Sequence, residues 1–279
     1  MVEGHYPKDV KEALALRREF KNSIIICGGS DAMVVKKSAE HVIFINEVKE
    51  LQNTKIEDGN LHIGAGAVYS QLLSDENLPQ VLRRAIRTIA SPAVRNAGTI
   101  GGNICNASPA GDTLPVLYAL DAVIVKSSLS QSGEMIQQRQ PIEDFIRGVR
   151  KIDLAENEMV TSIEIPVRAY EDVSKTVYEK VGARQADAIS KLSFLGLMKW
   201  EDTIIRDVRI CFGSVSVTAV RRRELEEKII GLSIEELRNR KPVIISEYAE
   251  FIRPIDDQRS TAAYRKKVCL NLLDDFLTI

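Results

Sequence analysis

The sequence predicts an α+β fold in three consecutive parts, and the distribution of apolar runs predicts it. Residues 1–52 alternate short β-branched runs with one amphipathic helix, residues 53–170 read mainly as strands, and residues 171–279 give longer strands followed by helices. A chain of 279 residues is long enough to bury a sizeable core in more than one packed unit.

Pro7 followed by Val10, Ala13, Leu14 and Phe20 marks a helix start with a stripe of helical period. Ile24 to Cys27 reads as a buried strand running into a glycine turn, and His41 to Asn46 as a second short strand. A unit of about 50 residues is at the low end for independent stability, so it is expected to pack on the middle part of the chain. Leu61 to Ala67 is a strand leading into small residues, and Tyr69 to Leu73 a helical turn. The helix from Pro79 to Ala90 carries Val81, Leu82, Ala85, Ile86 and Ile89 on one face, which turns Arg83, Arg84 and Arg87 to solvent. Leu114 to Leu120 forms a short helix, Ala122 to Lys126 a strand, Ser127 to Gly133 a polar turn, and Met159 to Ile165 a strand stopped by Pro166. Glu171 and Asp172 mark the expected boundary, dividing the chain into 1–170 and 171–279. Beyond it come strands at Thr176 to Val181, Ile189 to Met198 and Ile204 to Phe212, then helices at Val220 to Ile230 and Pro242 to Phe251. A last helix runs to Phe276 with Ser260 as its N-cap. Opposite charges four apart between Arg221 and Lys228 suggest a solvated helix face.

Bulk properties exclude several classes. The chain is 44% hydrophobic and 28% charged with a formal net charge of −1, so it shows no basic footprint for nucleic acid. No apolar run approaches the roughly 18 residues of a membrane span, and no cationic stretch precedes an apolar core as in a secretory signal. A cytoplasmic location is expected. Four cysteines at 27, 105, 211 and 269 form no C-x-x-C pair, and His5, His41 and His62 form no H-E-x-x-H set. No metal site or iron–sulfur cluster is therefore expected within this chain, and its cysteines are expected to be reduced packing residues.

Two stretches stand out chemically. Thr99 to Asp112 is rich in Gly, Asn, Ser and Pro, and Ser23 to Asp31 ends a β-branched run in Gly28-Gly29-Ser30-Asp31. Two readings stand side by side. Both stretches suit surface loops with ordinary turn chemistry. Adjacent glycines also let successive N–H groups converge while an anion comes close, which makes a phosphate cradle. Thr99, Ser108, Asn103 and Asn106 add neutral donors there, and Asp112 offers an acceptor for a sugar hydroxyl. Neither stretch matches G-x-x-x-x-G-K-[ST], since Lys36 and Lys37 come after Gly28-Gly29 at the wrong spacing, nor G-x-G-x-x-G.

The pair "CGGSDAMV" at 27–34 and "VRNAGTIGGNICNASPAGDTLPVLYALDA" at 94–122 resembles the FAD-binding subunit of the molybdenum hydroxylases. That family includes the medium subunits of carbon monoxide, nicotinate and quinoline dehydrogenases and the flavin domain of xanthine dehydrogenase. Its pattern R-N-x-x-T-I-G-G-N followed by A-S-P-x-x-D is matched at Arg95, Asn96, Thr99 to Asn103, Ala107 to Pro109 and Asp112. "EMVTSIEIP" at 158–166, "EKVGARQADAIS" at 179–190 and "PIDDQRSTAAYRKKV" at 254–268 extend the similarity over nearly the whole chain.

The resemblance implies a two-part FAD-binding domain, a small α/β unit plus a larger mixed-sheet unit, followed by a C-terminal antiparallel sheet with a helix bundle. FAD lies, by that analogy, between the first two parts and against the third. Ile26, Cys27, Gly28, Gly29, Ser30, Asp31 and Ala32 are then expected on the FAD diphosphate through backbone N–H groups. Thr99, Ile100, Gly101, Gly102 and Asn103 would hold it from the other side. Ser108 and Asp112 would meet the ribose and diphosphate, and Met159 and Val160 the adenine end. Ile89, Val94, Gly98 and Asn106 complete the implied set, and Lys180 matches a family lysine whose charge would favour reduced, anionic flavin. The sequence departs from relatives at Ile189, where some have an aromatic residue over the flavin ring, and at Ser30 and Ala32, where Thr and Leu are frequent.

The implied function is electron transfer through non-covalent FAD, with molybdopterin and iron–sulfur clusters of the 2Fe–2S type on partner subunits. NAD, oxygen or a quinone would be the final acceptor, and no catalytic acid or base is assigned. A stand-alone FAD reductase on a related fold, such as the enolpyruvyl-sugar reductases, and a flavin-free scaffold subunit are the alternatives.

Overall fold

Parallel pairing brings the amino-terminal strand Glu3–His5 beside His41–Phe44, which pairs in turn with Ile24–Ile26. These strands belong to a computed structural model that describes residues 2–35, 39–185 and 187–279. Lys36 and Lys37, and Ala186 of the Ile189 region, lie outside the described residues. Contacts divide the chain into two units, one running to Leu78 with Ser91–Ala107 and Asp121–Val167, the other made of Pro79–Ala90, Ser108–Leu120 and Arg168–Ile279.

In the first unit the helix Val10–Glu19 starts where Asp9 accepts from the Glu12 amide at 2.7 Å. It buries Val10, Ala13 and Leu14 against Ile43, Ile45, Leu51, Leu129 and Met159, so the amino-terminal strands share a core with the middle of the chain. Each large apolar side chain among them contributes about 1.5–3 kcal/mol on burial, and the expected packing of the small amino-terminal part on the middle part is met. The second sheet of this unit is antiparallel, in the order Thr54–Glu57, Asn60–Gly64, Met159–Pro166, Val123–Leu129, Met135–Pro141. Its central strand is the predicted one, and Ile163 and Ile165 are fully buried.

The second unit is a four-stranded antiparallel sheet, Lys175–Val181, Leu192–Glu201, Ile204–Gly213 and Val220–Arg221, with helices packed on it. Phe194 lies 5.2 Å from Phe212 and 5.8 Å from Phe276, ring centre to ring centre, on the helix side of the sheet. Gly196 makes room for this packing, because a Cβ there would come within 2.6 Å of the Phe276 ring. Ile234–Ala249 and Ala262–Leu277 are the two long helices.

Several elements differ from their sequence expectation. Ser127 to Leu129 continue a strand, and the predicted helix Val220 to Ile230 is a two-residue strand followed by the short helix Arg223–Glu226. Within the Arg221–Lys228 run, Arg223, Glu224, Glu227 and Lys228 are exposed as expected, but Arg221 and Glu226 are each 5% exposed and paired at 3.0 Å. Glu226 also accepts from the Ile210 amide at 2.8 Å, and Arg221 donates to the Tyr118 carbonyl at 2.7 Å. The helix expected to begin at Pro242 starts at Ser233, where Ser233 and Glu236 form a capping box, and Pro242 sits inside it. The last helix is capped by Thr261 rather than Ser260.

Candidate functional site

In the first unit the strand Ile24–Ile26 delivers Cys27 and the Gly28-Gly29 turn, and the short helix Ala32–Val35 comes next. Gly29 has φ +66°, the left-handed region that glycine adopts without cost. Gly28 is glycine for a different reason, since a Cβ there would lie 1.8 Å from the Ala97 carbonyl oxygen. Close approach thereby joins the glycine turn to the residues just ahead of Thr99. Among the described residues, nothing accepts from the backbone N–H groups of Gly28, Gly29, Ser30 and Asp31. Four consecutive amides left open at a glycine turn are the donor set an anion requires.

The second stretch works differently from its expectation as a turning loop. Ile100–Asn106 is a helix whose N-cap is Thr99, and Gly101 and Gly102 lie in its first turn without positive φ. Its leading amides are already used. Ile100 donates to the Ala67 carbonyl at 3.2 Å, Gly101 to Ala65 at 2.9 Å, Gly102 to Thr99 Oγ1 at 3.1 Å and Asn103 to the Thr99 carbonyl at 3.0 Å. The amides of residues 100–103 thus already have partners within the chain, and the two glycines also set spacing. Gly101 lets the helix lie on Ala65, whose carbonyl oxygen would be 2.5 Å from a Cβ. Gly102 is exposed, and a Cβ there would meet only Thr99 Oγ1, at 2.8 Å.

Arg150 ties the two stretches together. It donates to Asp31 at 3.0 Å and to the side-chain oxygen of Asn106, and its own amide bonds the Ala107 carbonyl at 3.0 Å. The sequence carried no signal for this residue, which lies 119 positions from Asp31. Cys27 is a packing thiol: burial pushes its pKa up, with a hydrogen bond to Thr99 opposing the rise. Gly98 lies beside Gly28 at the exit of the short helix Pro92–Arg95 and packs on the Val94 carbonyl. Met159 and Val160 are 2% and 4% exposed, and Met159 lies in the core with the helix Val10–Glu19.

The second unit gathers another part of the predicted set. Lys180 donates to Asp112 at 2.7 Å and to the Thr88 carbonyl at 2.7 Å, and both charged side chains are 8% exposed. Ser190 donates to the other Asp112 oxygen, and the buried Tyr178 hydroxyl reaches the Asp112 carbonyl at 3.4 Å. Burial pushes the Asp112 carboxyl above the usual carboxylate range, against the pull of Lys180 and the Lys180 and Ser190 hydrogen bonds. Asp112 thus spends its oxygens on protein donors, and Lys180 presents the field of an ion pair rather than of a lone cation. Ser190 closes the "EKVGARQADAIS" stretch and was legible only as part of it; Thr88 and Tyr178 gave no signal. Ser108 caps its own turn, accepting from the Ala110 amide at 3.3 Å, while Ile89 is half-buried and Ile189 is 58% exposed.

Open amides at a left-handed glycine, beside an exposed glycine that leaves room for close approach, have the chemistry of a nucleotide-diphosphate cradle. Comparison with known proteins shows the family. Residues 1–168 match the model of the FAD binding domain in molybdopterin dehydrogenase, and residues 177–279 that of the CO dehydrogenase flavoprotein C-terminal domain. The chain is 32% identical over 269 residues to the glyceraldehyde dehydrogenase medium chain of Sulfolobus acidocaldarius, covering 94% of this chain and 92% of that one. It is 29% identical to the carbon monoxide dehydrogenase medium chain of Hydrogenophaga pseudoflava, over 94% of this chain and 91% of the other. A solved structure of carbon monoxide dehydrogenase from Hydrogenophaga pseudoflava superposes with a TM-score of 0.86 at 26% identity, over 98% and 95% of the two chains. The chain belongs to the family of FAD-binding subunits of molybdopterin dehydrogenases, a family of oxidoreductases. Among the described residues no helix is long and apolar enough to cross a membrane.

Proposed function

We propose that this chain is the electron-transferring flavin subunit of a molybdenum hydroxylase complex, taking electrons from an iron–sulfur subunit and passing them to a final acceptor. The observation that carries the reading is the run of open amides at Gly28 to Asp31 beside the exposed Gly102. Residues and cofactor fit: a diphosphate supplies the acceptors these amides lack, and the absent Cβ at Gly102 leaves room for its oxygens. Bound FAD supplies the two-electron chemistry and exchanges single electrons with iron–sulfur clusters.

This chain's residues bind and position. Gly28, Gly29, Ser30 and Asp31 donate to phosphate oxygens, and Arg150 fixes Asp31 so that the turn keeps its shape. The Lys180–Asp112 pair, anchored by Thr88 and Ser190, supplies a fixed, nearly neutral dipole rather than a free positive charge. The functional division falls between an FAD-binding part in 1–170 and a sheet-plus-helices part in 171–279, a reading supported by family matches over 1–168 and 177–279.

The test mixes the FAD-loaded chain, without oxygen, with a reduced iron–sulfur subunit of such a complex. Bleaching of the flavin's visible absorption at a rate that saturates with partner concentration is expected. A flavin that stays oxidised in a stable complex would overturn the electron-transfer reading.

A further inference from the structure

We propose that Glu3, His5 and His41 form a binding site for a divalent transition-metal ion of the zinc class. His5 and Glu3 are two apart on one strand and so share a face, and the parallel register sets His41 directly across from Glu3. His5 Nε2 lies 3.1 Å from His41 Nδ1, and that same His41 nitrogen lies 3.6 Å from the Glu3 carboxylate. All three ligand atoms fall within 4.8 Å of one another.

These distances match the spacing of ligands around a metal ion. Two ligand atoms each about 2.0–2.1 Å from a tetrahedral zinc ion stand about 3.3–3.4 Å apart. The His5–His41 and His41–Glu3 separations bracket that value, and with all three atoms within 4.8 Å of one another, side-chain rotation of the exposed Glu3 suffices to centre an ion among them. Two imidazole nitrogens and one carboxylate oxygen suit a borderline cation rather than magnesium or calcium, which take oxygen ligands. A fourth position is left for water.

The ligands are also held before any ion arrives. Phe20 stacks on His5 at 4.4 Å and on His41 at 4.1 Å between ring centres, which restrains both imidazole planes. The backbones are fixed by the ladder between Glu3–His5 and His41–Phe44. An ion here would clip the amino-terminal strand to its neighbour and so stabilise the edge of the sheet that carries Ile24–Ile26 and the glycine turn. The sequence hid the site because 36 residues separate His5 from His41.

The experiment titrates zinc into the chelator-treated full chain by calorimetry and repeats the titration on Glu3→Gln, His41→Gln and His62→Gln. Glu3 is exposed, with 67% of its side-chain surface open, so its variant keeps the fold even if His41→Gln does not. His62, beside Glu164 at 3.5 Å, is the control histidine. Saturable binding of zinc is expected, weakened at least about tenfold by Glu3→Gln and by His41→Gln and unchanged by His62→Gln. Saturating zinc is also expected to raise the unfolding midpoint by roughly 5 °C in the wild-type chain but not in His41→Gln. Absence of saturable binding, or equal affinity in wild type and Glu3→Gln, would overturn the assignment.

Discussion

Lys180 sits where a buried ammonium has two oxygens within 2.7 Å and almost no water. Its partner Asp112 has a pKa raised by burial even with that cation beside it. The sign of the consequence is fixed by that direction: stability from a raised carboxyl is fully present below the ordinary carboxylate range and is lost as pH rises through the raised value. Lys180→Met removes the attraction and leaves Asp112 as an unpaired buried carboxylate. A loss of about 3–5 kcal/mol at neutral pH is expected, shrinking as the pH falls and Asp112 takes up a proton. Denaturant melts of both proteins across pH check this, and a deficit independent of pH would contradict it. At this scale the sequence identified Lys180 and Asp112 through family motifs. It did not show that they meet, because 68 positions separate them and no local periodicity records such a contact.

Elements show why some glycines are replaceable and others are not. Gly28→Ala drives a Cβ into the Ala97 carbonyl, backbone against backbone, and is expected to cost about 1–3 kcal/mol or more. Gly102→Ala meets only the Thr99 hydroxyl. Losing that cap costs about 1 kcal/mol, and the gain in helix propensity of about 0.8–1.0 kcal/mol offsets it. Thermal melts of the two variants should therefore separate clearly, with Gly102→Ala close to wild type. Glu226→Gln strands the Arg221 guanidinium, which is 5% exposed, and is expected to lose about 3–5 kcal/mol by the same melts. Regular apolar patterns made Val10–Glu19, Met159–Pro166 and Lys175–Val181 legible in the sequence. Met135–Pro141 was not, because its residues are largely exposed and polar and give no alternation to read. Charge spacing cannot tell a solvated helix from a buried bridge, which is why the Arg221–Glu226 pair escapes a reading of the sequence. The capping box at Ser233 and Glu236 is present in the sequence but is outweighed there by Pro242.

At the scale of the whole molecule, each unit keeps its own core, one around the amino-terminal helix and one around the Phe194, Phe212 and Phe276 rings. The open amides belong to the first unit and the buried Lys180–Asp112 pair to the second. Composition set the outer limits of this picture, while the resemblance of its motifs to a family supplied the cofactor class. The division of labour between the two glycine stretches came only from their hydrogen bonds, since open amides at Gly28 to Asp31 and satisfied ones at 100–103 look alike as sequence.

The most direct test is the flavin content of the purified chain, read as visible absorption after FAD is added and excess removed, for wild type and for Gly102→Asp. The wild-type chain is expected to hold stoichiometric FAD that is released on denaturation. Gly102→Asp is expected to melt near the wild-type temperature yet hold none, because in the proposed site its carboxylate would face the diphosphate and its Cβ would fill the approach. A wild-type chain that takes up no FAD even in complex with its partner subunits, or a Gly102→Asp chain that keeps it in full, would contradict the account.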